Sequence, residues 1–254
     1  MKEEFTLNNV ASQTTNDVSF KEQMEAFYNS ASGSNIEKLN NFTRFTSRQS
    51  LSLFLAKNEI FQHVLPIHGN IVECGVFMGG GLFTWAQLSA VYEPINHCRK
   101  VIGFDTFDGF PNVSEIDKSS SGIDEHKEKG SYKFKHKEEI ERNIELFDLN
   151  RNIGHISKVE LIEGDACETI PQYMDENKHL VVALLYLDFD LYEPTKAALK
   201  HFLPRMPKGA VIAFDELNQK QWPGETMAVL EEVGLNNIRI QRVPYTPALS
   251  YAIL

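Results

Sequence analysis

The sequence predicts an α/β protein with a Rossmann-like, doubly wound sheet of seven strands, mostly parallel and closed by an antiparallel C-terminal pair. Short apolar runs alternate with stretches of helical spacing along most of the 254 residues. The fourth run is almost wholly apolar, which is typical of a strand buried on both faces of a parallel sheet. Acidic residues lie at or beside the ends of five runs, at the edge where such sheets bind ligands.

Each strand is predicted from one apolar run. The first five runs are 71–74, 101–104, 159–162, 180–187 and 210–214, and the closing pair is 238–243 with 249–254. A short helix is expected around residues 20–28 and another over 47–63. This pattern predicts a polar, helical extension over residues 1–45 and one domain over 46–254. The charged, serine-rich stretch within 111–145 interrupts the rhythm, and we expect either a lid or a plain flexible loop there.

Composition limits the partners and the compartment. The net charge is -10 with no run of lysines and arginines, so the surface is expected to repel both nucleic acid and membrane lipid. No stretch resembles a signal peptide or approaches the roughly 20 apolar residues of a membrane-spanning helix. The three cysteines, Cys74, Cys98 and Cys167, lack metal-ligand spacing. A reducing, cytoplasmic setting is therefore expected.

The first three strand ends form a candidate site for a cofactor that carries adenosine. The residues of the first turn that are expected to approach a ligand are Glu73, Gly75, Gly79 and Gly80. Asp105 ends the second strand, where an acid can accept hydrogen bonds from ribose hydroxyls. Asp165 follows the third strand and can either face an adenine edge or cap a helix. These residues alone do not separate an adenosylmethionine site from a nicotinamide site, and a tight strand-to-helix turn remains the structural alternative.

The next two strand ends predict a metal site. Asp188 and Asp190 are expected on one face of an extended segment, and Asp215 and Glu216 follow the next strand. Because adjacent parallel strands lie about 5 Å apart, these acids can meet. Clustered carboxylates favour a hard, oxygen-ligated cation such as Mg²⁺ over Zn²⁺. The alternative is that Asp190 caps the helix that follows and Asp215 is an ordinary turn residue.

With these residues in view, the chain resembles the macrocin O-methyltransferases, metal-dependent enzymes that methylate sugar hydroxyls in antibiotic biosynthesis. The matching blocks occur in the family's order over roughly residues 45–230. They are IVECGVFMGGG, GFDTFDGFP, EGDACETIP, LYLDFDLYEPTKAAL and PKGAVIAFD. The resemblance implies the class I methyltransferase fold and S-adenosyl-L-methionine as methyl donor.

The resemblance also assigns roles to individual residues. The cofactor would bind over Glu73, Gly75, Asp105 and Asp165, the metal would be ligated by Asp188, Asp215 and Glu216, and the general base would be Asp190. Two positions depart from the family's pattern. The family usually has two aspartates where this chain has Asp215 and Glu216, so the second ligand is one methylene longer or is not a ligand. Gly81 stands where the family more often has serine.

The resemblance favours a sugar or sugar-bearing small molecule as acceptor, and it implies a homo-oligomer. Three alternatives remain: a catechol-like acceptor, a nicotinamide-dependent oxidoreductase, and a non-catalytic ligand-binding protein on the same fold. The glycine spacing and the acid cluster argue against the oxidoreductase, since hydride transfer needs no carboxylate-bound metal. The aromatic residues Phe107, Tyr192 and Trp222 flank the strand ends, where they can either stack on a sugar or pack in the core.

Overall fold

A computed structural model describes residues 14–118 and 127–254 of the chain. Residues 1–13 of the predicted extension and 119–126 of the predicted lid lie outside the described residues. The chain divides into two compact units, one ending at Leu51 and the other spanning Ser52–Leu254. The domain boundary predicted at residue 45 stays a prediction.

The first unit contains two helices, α1 (Thr15–Ser30) and α2 (Asn35–Asn40). Helix α1 is longer at both ends than the predicted helix over 20–28. Helix α2 was not predicted, and a capping box starts it: the Ser34 side chain accepts from the Glu37 N–H, and the Glu37 carboxylate accepts from the Ser34 N–H.

The second unit contains the seven-stranded sheet, in the order β3-β2-β1-β4-β5-β7-β6. The strands are β1 (Asn70–Cys74), β2 (Val101–Asp105), β3 (Val159–Glu163), β4 (Val182–Leu187), β5 (Val211–Phe214), β6 (Gln241–Arg242) and β7 (Ser250–Ile253). The remaining helices are α3 (Arg48–Val64, which begins in the first unit), α4 (Gly80–Tyr92), α5 (Lys137–Leu149), α6 (Ala166–Glu176), α7 (Tyr192–Phe202) and α8 (Pro223–Glu232). Strands β1 to β5 are parallel, and β7 is antiparallel to both β5 and β6. The predicted fold class is confirmed.

Apolar side chains of alternating residues cover the two faces of the sheet. Ile71 and Leu184 pack with α3, α4 and α5 on one face, while Val72 and Leu185 pack with α6, α7 and α8 on the other. All six residues of β4 are buried, as the apolar run predicted. The sheet is therefore sandwiched between two helical layers, and its carboxyl edge carries the loops of the site.

Three segments differ in detail from the predicted elements. Strand β3 is only partly buried because it forms one edge of the sheet. Strand β6 is two residues long, much shorter than the predicted run over 238–243. Residues 137–145 of the predicted lid belong to α5, the helix that connects β2 to β3. Among the described residues, no helix has the length and apolar character needed to cross a membrane.

Candidate active site

The glycine turn after β1 joins the cofactor side of the site to the end of β4. Gly75 has φ +99°, and a Cβ there would overlap the carbonyl oxygen of Asp188 and lie 2.8 Å from its carbon. The Asp188 N–H also donates to the Cys74 carbonyl at 2.8 Å. Glycine is therefore required at position 75 for both its backbone angle and the close approach of the two segments.

Helix α4 begins directly after this turn with an open first turn. Gly79 precedes the helix with φ +85° and, within the described part of the chain, no side chain caps the helix start. A Cβ at Gly80 would meet no described atom within 4 Å, so space is open at this helix end. Unsatisfied backbone N–H groups at a helix N-terminus bind anions, so this end suits the carboxylate of an amino-acid ligand.

Asp105 holds two loops together through its carboxylate. Its Oδ2 accepts from the N–H groups of Val76 and Phe77 at 2.8 Å each, and its Oδ1 accepts from the Phe107 N–H at 2.7 Å. Asp105 thus fixes the glycine turn against the loop after β2, a role that its position at the strand end did not predict. Its predicted contact with ribose stays a prediction.

Asp165 occupies the helix-capping position that was the alternative to ligand binding. Its Oδ1 accepts from the Cys167 N–H at 2.9 Å and caps α6. Gly164 before it has φ +135°. The predicted contact of Asp165 with adenine remains a prediction beside this observed structural role.

Glu73 is buried behind the glycine turn, beside a lysine that the sequence did not single out. Glu73 is 1% exposed and Lys57 of α3 is 3% exposed. A Cβ at Gly81 would overlap Glu73 Oε1 and lie 2.6 Å from Lys57 Nζ, so both charged groups occupy the space that a longer side chain would need. Lys57 Nζ also lies 3.9 Å from the centre of the Tyr186 ring. Burial raises the pKa of Glu73 to about 7 even though the Lys57 charge lowers it.

The metal ligands implied by the resemblance lie together at the ends of β4 and β5. One carboxylate oxygen each from Asp188, Asp215 and Glu216 lies within 4.8 Å of the others. The Tyr186 hydroxyl donates to Asp215 Oδ1 at 2.5 Å. Glu216 Oε2 is buried and has no hydrogen-bond partner among the described residues. Burial, followed by the charges of the neighbouring acids, raises the pKa of Asp188 and of Glu216 well above the usual range.

Asp190 lies beside this cluster, but in a different conformation from the predicted one. Strand β4 ends at Leu187, and Asp190 has φ +62°, in the left-handed region. The extended segment expected over residues 188–190 was therefore wrong, because the chain turns sharply before α7. Burial and the charge of Asp215 raise the pKa of Asp190 to about 7, while the charge of Lys127 lowers it. Such a backbone angle outside glycine is uncommon and concentrates at functional sites.

Glu225, in the first turn of α8, is a further acid of the site that sequence analysis missed. It is fully buried, and its carboxylate lies beside the backbone of Asp215 and Glu216. Burial, Asp215 and Asp190 raise its pKa well above the usual range. The sequence around Glu225 does not indicate that it is buried, because Pro-Gly before it is an ordinary start of a helix.

Three aromatic residues close to the acid cluster, Phe110, Tyr132 and Trp222, pack against one another, and we call them the aromatic wall. Phe110, Leu191 and Trp222 are buried together, with Tyr132 packed against them. The Tyr132 ring centre lies 5.3 Å from that of Phe110 and 6.0 Å from that of Trp222. Burial, followed by the charges of Asp190 and Glu216, raises the pKa of Tyr132 to about 12. Of the aromatic residues considered from the sequence, Trp222 belongs to this wall, whereas Phe107 and Tyr192 pack in the core.

Described parts of the predicted lid are attached to this wall. Asp117 is 1% exposed, and its Oδ1 accepts from the Tyr192 N–H at 2.7 Å, at the start of α7. Lys127 Nζ donates to the Asp117 carbonyl at 2.8 Å and to the Gln221 carbonyl, and it lies 4.8 Å from the centre of the Trp222 ring. Asp117 and Lys127 are therefore close enough to the site for their charges to act on Asp190.

The sequence matches the model of one protein family, macrocin-O-methyltransferase (TylF), over residues 45–232. Because this match covers most of the chain, the protein belongs to that family.

Two solved structures and one curated protein are among those to which the chain is similar. The crystal structure of CalS11, a calicheamicin methyltransferase, is 32% identical and covers 100% of this chain and 98% of its own, with a TM-score of 0.91. The apo structure of CalS11, described as TDP-rhamnose 3'-O-methyltransferase, is 31% identical over 98% of each chain with a TM-score of 0.82. A curated relative from Streptomyces olivaceus, 8-demethyl-8-(2,3-dimethoxy-alpha-L-rhamnosyl)-tetracenomycin-C 4'-O-methyltransferase, is 28% identical over 155 residues, 59% of this chain and 53% of the relative. The chain thus spans about half the length of the curated relatives it matches.

Proposed function

We propose that this protein transfers a methyl group from S-adenosyl-L-methionine to a hydroxyl of a sugar or sugar-bearing small molecule, with the help of a bound divalent cation. The observation that carries the proposal is the group of three carboxylate oxygens within 4.8 Å of one another at the ends of two adjacent parallel strands. Family membership and the names of the relatives support the choice of methyl transfer and of a sugar.

The residues of the acid cluster fit a hard cation. Asp188, Asp215 and Glu216 offer oxygen ligands, and the buried Glu216 Oε2 has no hydrogen-bond partner among the described residues, so it is available to a cation. Mg²⁺ prefers carboxylate oxygens, and when bound it supplies Lewis acidity that makes a sugar hydroxyl easier to deprotonate. The longer Glu216 side chain is compatible with ligation, because its oxygen reaches the other two.

The residues around the glycine turn fit the methyl donor. The open first turn of α4 at Gly80 suits the donor's carboxylate, and Asp105 keeps the turn in place. The Gly75 contact with Asp188 sets the donor side directly beside the acid cluster. In this proposal the two reactants lie next to each other, and positioning of this kind supplies much of the rate enhancement in group transfer.

Asp190 is the residue proposed to move the proton. Its carboxylate accepts the proton of the acceptor hydroxyl while the hydroxyl oxygen forms a bond to the methyl carbon. The bond between that carbon and the donor sulfur breaks, and its electron pair stays on sulfur, leaving S-adenosylhomocysteine. A general base with a pKa near the working pH serves this step well. The aromatic wall of Phe110, Tyr132 and Trp222 borders the place where the sugar ring would lie.

Asp190→Asn tests this assignment of roles. The variant is expected to lose about 100-fold or more in turnover, the usual contribution of a general base, while calorimetric affinity for S-adenosylhomocysteine stays close to that of the unchanged protein. Asp175→Asn, at an exposed position of α6, is the matched control and is expected to keep full activity. Loss of S-adenosylhomocysteine affinity in Asp190→Asn, or full turnover, would contradict the assignment.

Methylation and binding assays on the same purified protein distinguish two alternative functions. A catechol-like acceptor would be methylated in place of deoxysugars, and a non-catalytic binding protein would bind S-adenosylhomocysteine without methylating either acceptor. The names of the relatives favour the sugar.

A further inference from the structure

Asp117 is a buried carboxylate beside the site to which none of the functions above assigns a role. It ends the short 3-10 helix Glu115–Asp117 in the segment after β2, and it is 1% exposed. Its Oδ2 accepts from the N–H and the hydroxyl of Ser114 at 2.9 and 2.6 Å, and its Oδ1 accepts from the Tyr192 N–H at 2.7 Å. The bonds to Ser114 are local, whereas the bond to Tyr192 joins this segment to a helix 75 residues further along the chain.

Helix α7 receives its N-terminal hydrogen bond from Asp117 and not from a neighbouring residue. Leu191 is the N-cap residue, and its side chain cannot accept a hydrogen bond, although the first N–H groups of a helix have no partner within the helix. An aspartate commonly accepts from the N–H two residues after it, which makes Asp190 the expected acceptor for Tyr192. Within the described chain, the Tyr192 N–H donates to Asp117 instead. The capping of α7 by Asp190, considered from the sequence, is therefore not what the structure shows.

This arrangement leaves the Asp190 carboxylate without a capping role. The Asp190 backbone has φ +62° directly before the helix, and such a conformation persists only where the surrounding structure holds it. Because Asp117 fixes the start of α7 from outside, it also restrains the turn that precedes the helix.

The first turn of α8 closes the space around the hydrogen bond between Asp117 and Tyr192. A Cβ at Gly224 would overlap Asp117 Oδ1 and lie 2.6 Å from the Tyr192 nitrogen, so the backbone of α8 packs directly on both partners. An N–H in such buried surroundings is costly to leave unpaired. If the Asp117 carboxylate were removed, the Tyr192 N–H would need another acceptor, and Asp190 is two residues away in the sequence.

We propose that Asp117 is a positioning residue for methyl transfer, because it caps α7 in place of Asp190 and so keeps the Asp190 carboxylate available to the acceptor hydroxyl. This inference rests on the proposed function and adds to it a residue that acts through Asp190. Without Asp117, Asp190 is expected to turn onto the Tyr192 N–H, the arrangement usual for an aspartate before a helix. A carboxylate held there is out of reach of the proton that it has to accept.

The first test compares Asp117→Ala with Asp117→Asn, and Ser114→Ala is the matched control. Turnover is measured with S-adenosyl-L-methionine, Mg²⁺ and one deoxysugar in three forms: rhamnose, methyl rhamnoside and TDP-rhamnose. Calorimetry with S-adenosylhomocysteine counts the folded sites. Asp117→Ala is expected to lower kcat per folded site about tenfold or more, because a misplaced catalytic group lowers the rate steeply. Asp117→Asn keeps an oxygen for the Tyr192 N–H and should keep most of kcat.

The remaining variants separate positioning from a merely structural role. Ser114→Ala removes a bond to Oδ2 only and is expected to leave kcat per folded site unchanged. Gly224→Ala pushes a Cβ onto the same hydrogen bond and should lower kcat, so it serves if Asp117→Ala does not fold. If Asp117→Ala, or Gly224→Ala in its place, binds S-adenosylhomocysteine and keeps full kcat per folded site, Asp117 is only structural and the proposal is overturned.

A double substitution tests whether Asp117 acts through Asp190. In protein that already carries Asp190→Asn, Asp117→Ala should lower the residual rate little further, because the group that it positions has already been replaced. If the two losses multiply instead, Asp117 affects turnover by another route and the proposal is wrong.

A crystal structure of Asp117→Ala with S-adenosylhomocysteine separates failure of this inference from failure of the proposed function, because it needs no methyl transfer. It is expected to show the Asp190 carboxylate accepting from the Tyr192 N–H. If this is seen but the unchanged protein methylates none of the three sugars, the capping role stands and the proposed reaction falls. If the sugar is methylated but Asp190 has not moved in the variant, the inference is wrong and methyl transfer stands.

Discussion

Replacing Glu73 with glutamine should remove a loss of stability that the unchanged protein suffers as the pH rises. The folded protein holds the Glu73 carboxyl in the core, where its pKa is about 7, against 4.5 for an ordinary glutamate. Below pH 4.5 the Glu73 carboxyl is protonated in both the folded and the unfolded chain, so its titration does not change the free energy of unfolding there. Between pH 4.5 and 7 the unfolded chain releases the proton first, and the free energy of unfolding falls as the pH rises. A shift of this size corresponds to about 3 kcal/mol.

The assay is urea unfolding of the chelator-treated protein at a series of pH values, followed by circular dichroism. The difference in unfolding free energy between Glu73→Gln and the unchanged protein should shift by about 3 kcal/mol in favour of the variant from pH 4.5 to pH 8. Glu138→Gln, at an exposed position of α5, is the control for the loss of one charge. Lys57→Met removes the nearby charge that lowers the Glu73 pKa, so in this variant the free energy of unfolding should continue to fall to higher pH. A difference that stays constant with pH, or that changes in the opposite direction, would refute the reasoning.

Three substitutions test how the site is built. Gly75→Ala should cost about 3 kcal/mol or more in urea unfolding, because a Cβ at φ +99° would overlap the Asp188 carbonyl, and a cost below 1 kcal/mol would contradict that contact. Gly80→Ala should keep or slightly raise stability yet weaken S-adenosylhomocysteine binding in calorimetry, and unchanged affinity would place the ligand elsewhere. Tyr186→Phe should weaken Mg²⁺ binding about 10- to 100-fold through loss of the hydrogen bond to Asp215, whereas equal affinity would argue against Asp215 as a ligand.

The sheet and the meeting of its acids could be predicted because both follow from local patterns. Apolar runs mark buried strands, and the residue after each run lies at one edge of a parallel sheet, so Asp188 and Asp215 had to be neighbours. Helix α2 was missed because six residues give no apolar period, although its Ser34–Glu37 capping box was visible. The predicted strand over 238–243 was longer than the observed β6, because apolar residues also pack in the core outside strands.

Roles that depend on tertiary contacts could not be predicted in the same way. Lys57 occupies a polar position of an amphipathic helix, and only packing against Trp85 and Tyr186 buries it. Glu225 follows an ordinary helix start, and its burial beside Asp215 and Glu216 is visible only in the tertiary structure. The three amide contacts of Asp105 join turns that are far apart in sequence, so a strand-end acid suggests a ligand contact and not this bracing role.

The central claim, metal-dependent methyl transfer to a sugar hydroxyl, is tested most directly by one rate measurement. The protein is incubated with S-adenosyl-L-methionine and a panel of deoxysugar acceptors, once with Mg²⁺ and once with excess chelator, and methylated sugar is followed by mass spectrometry. The account predicts formation of methylated sugar with Mg²⁺, its loss with chelator, and its return when Mg²⁺ is restored. Equal rates with and without chelator would contradict the metal site, and methylation of catechols in place of every sugar would contradict the acceptor class.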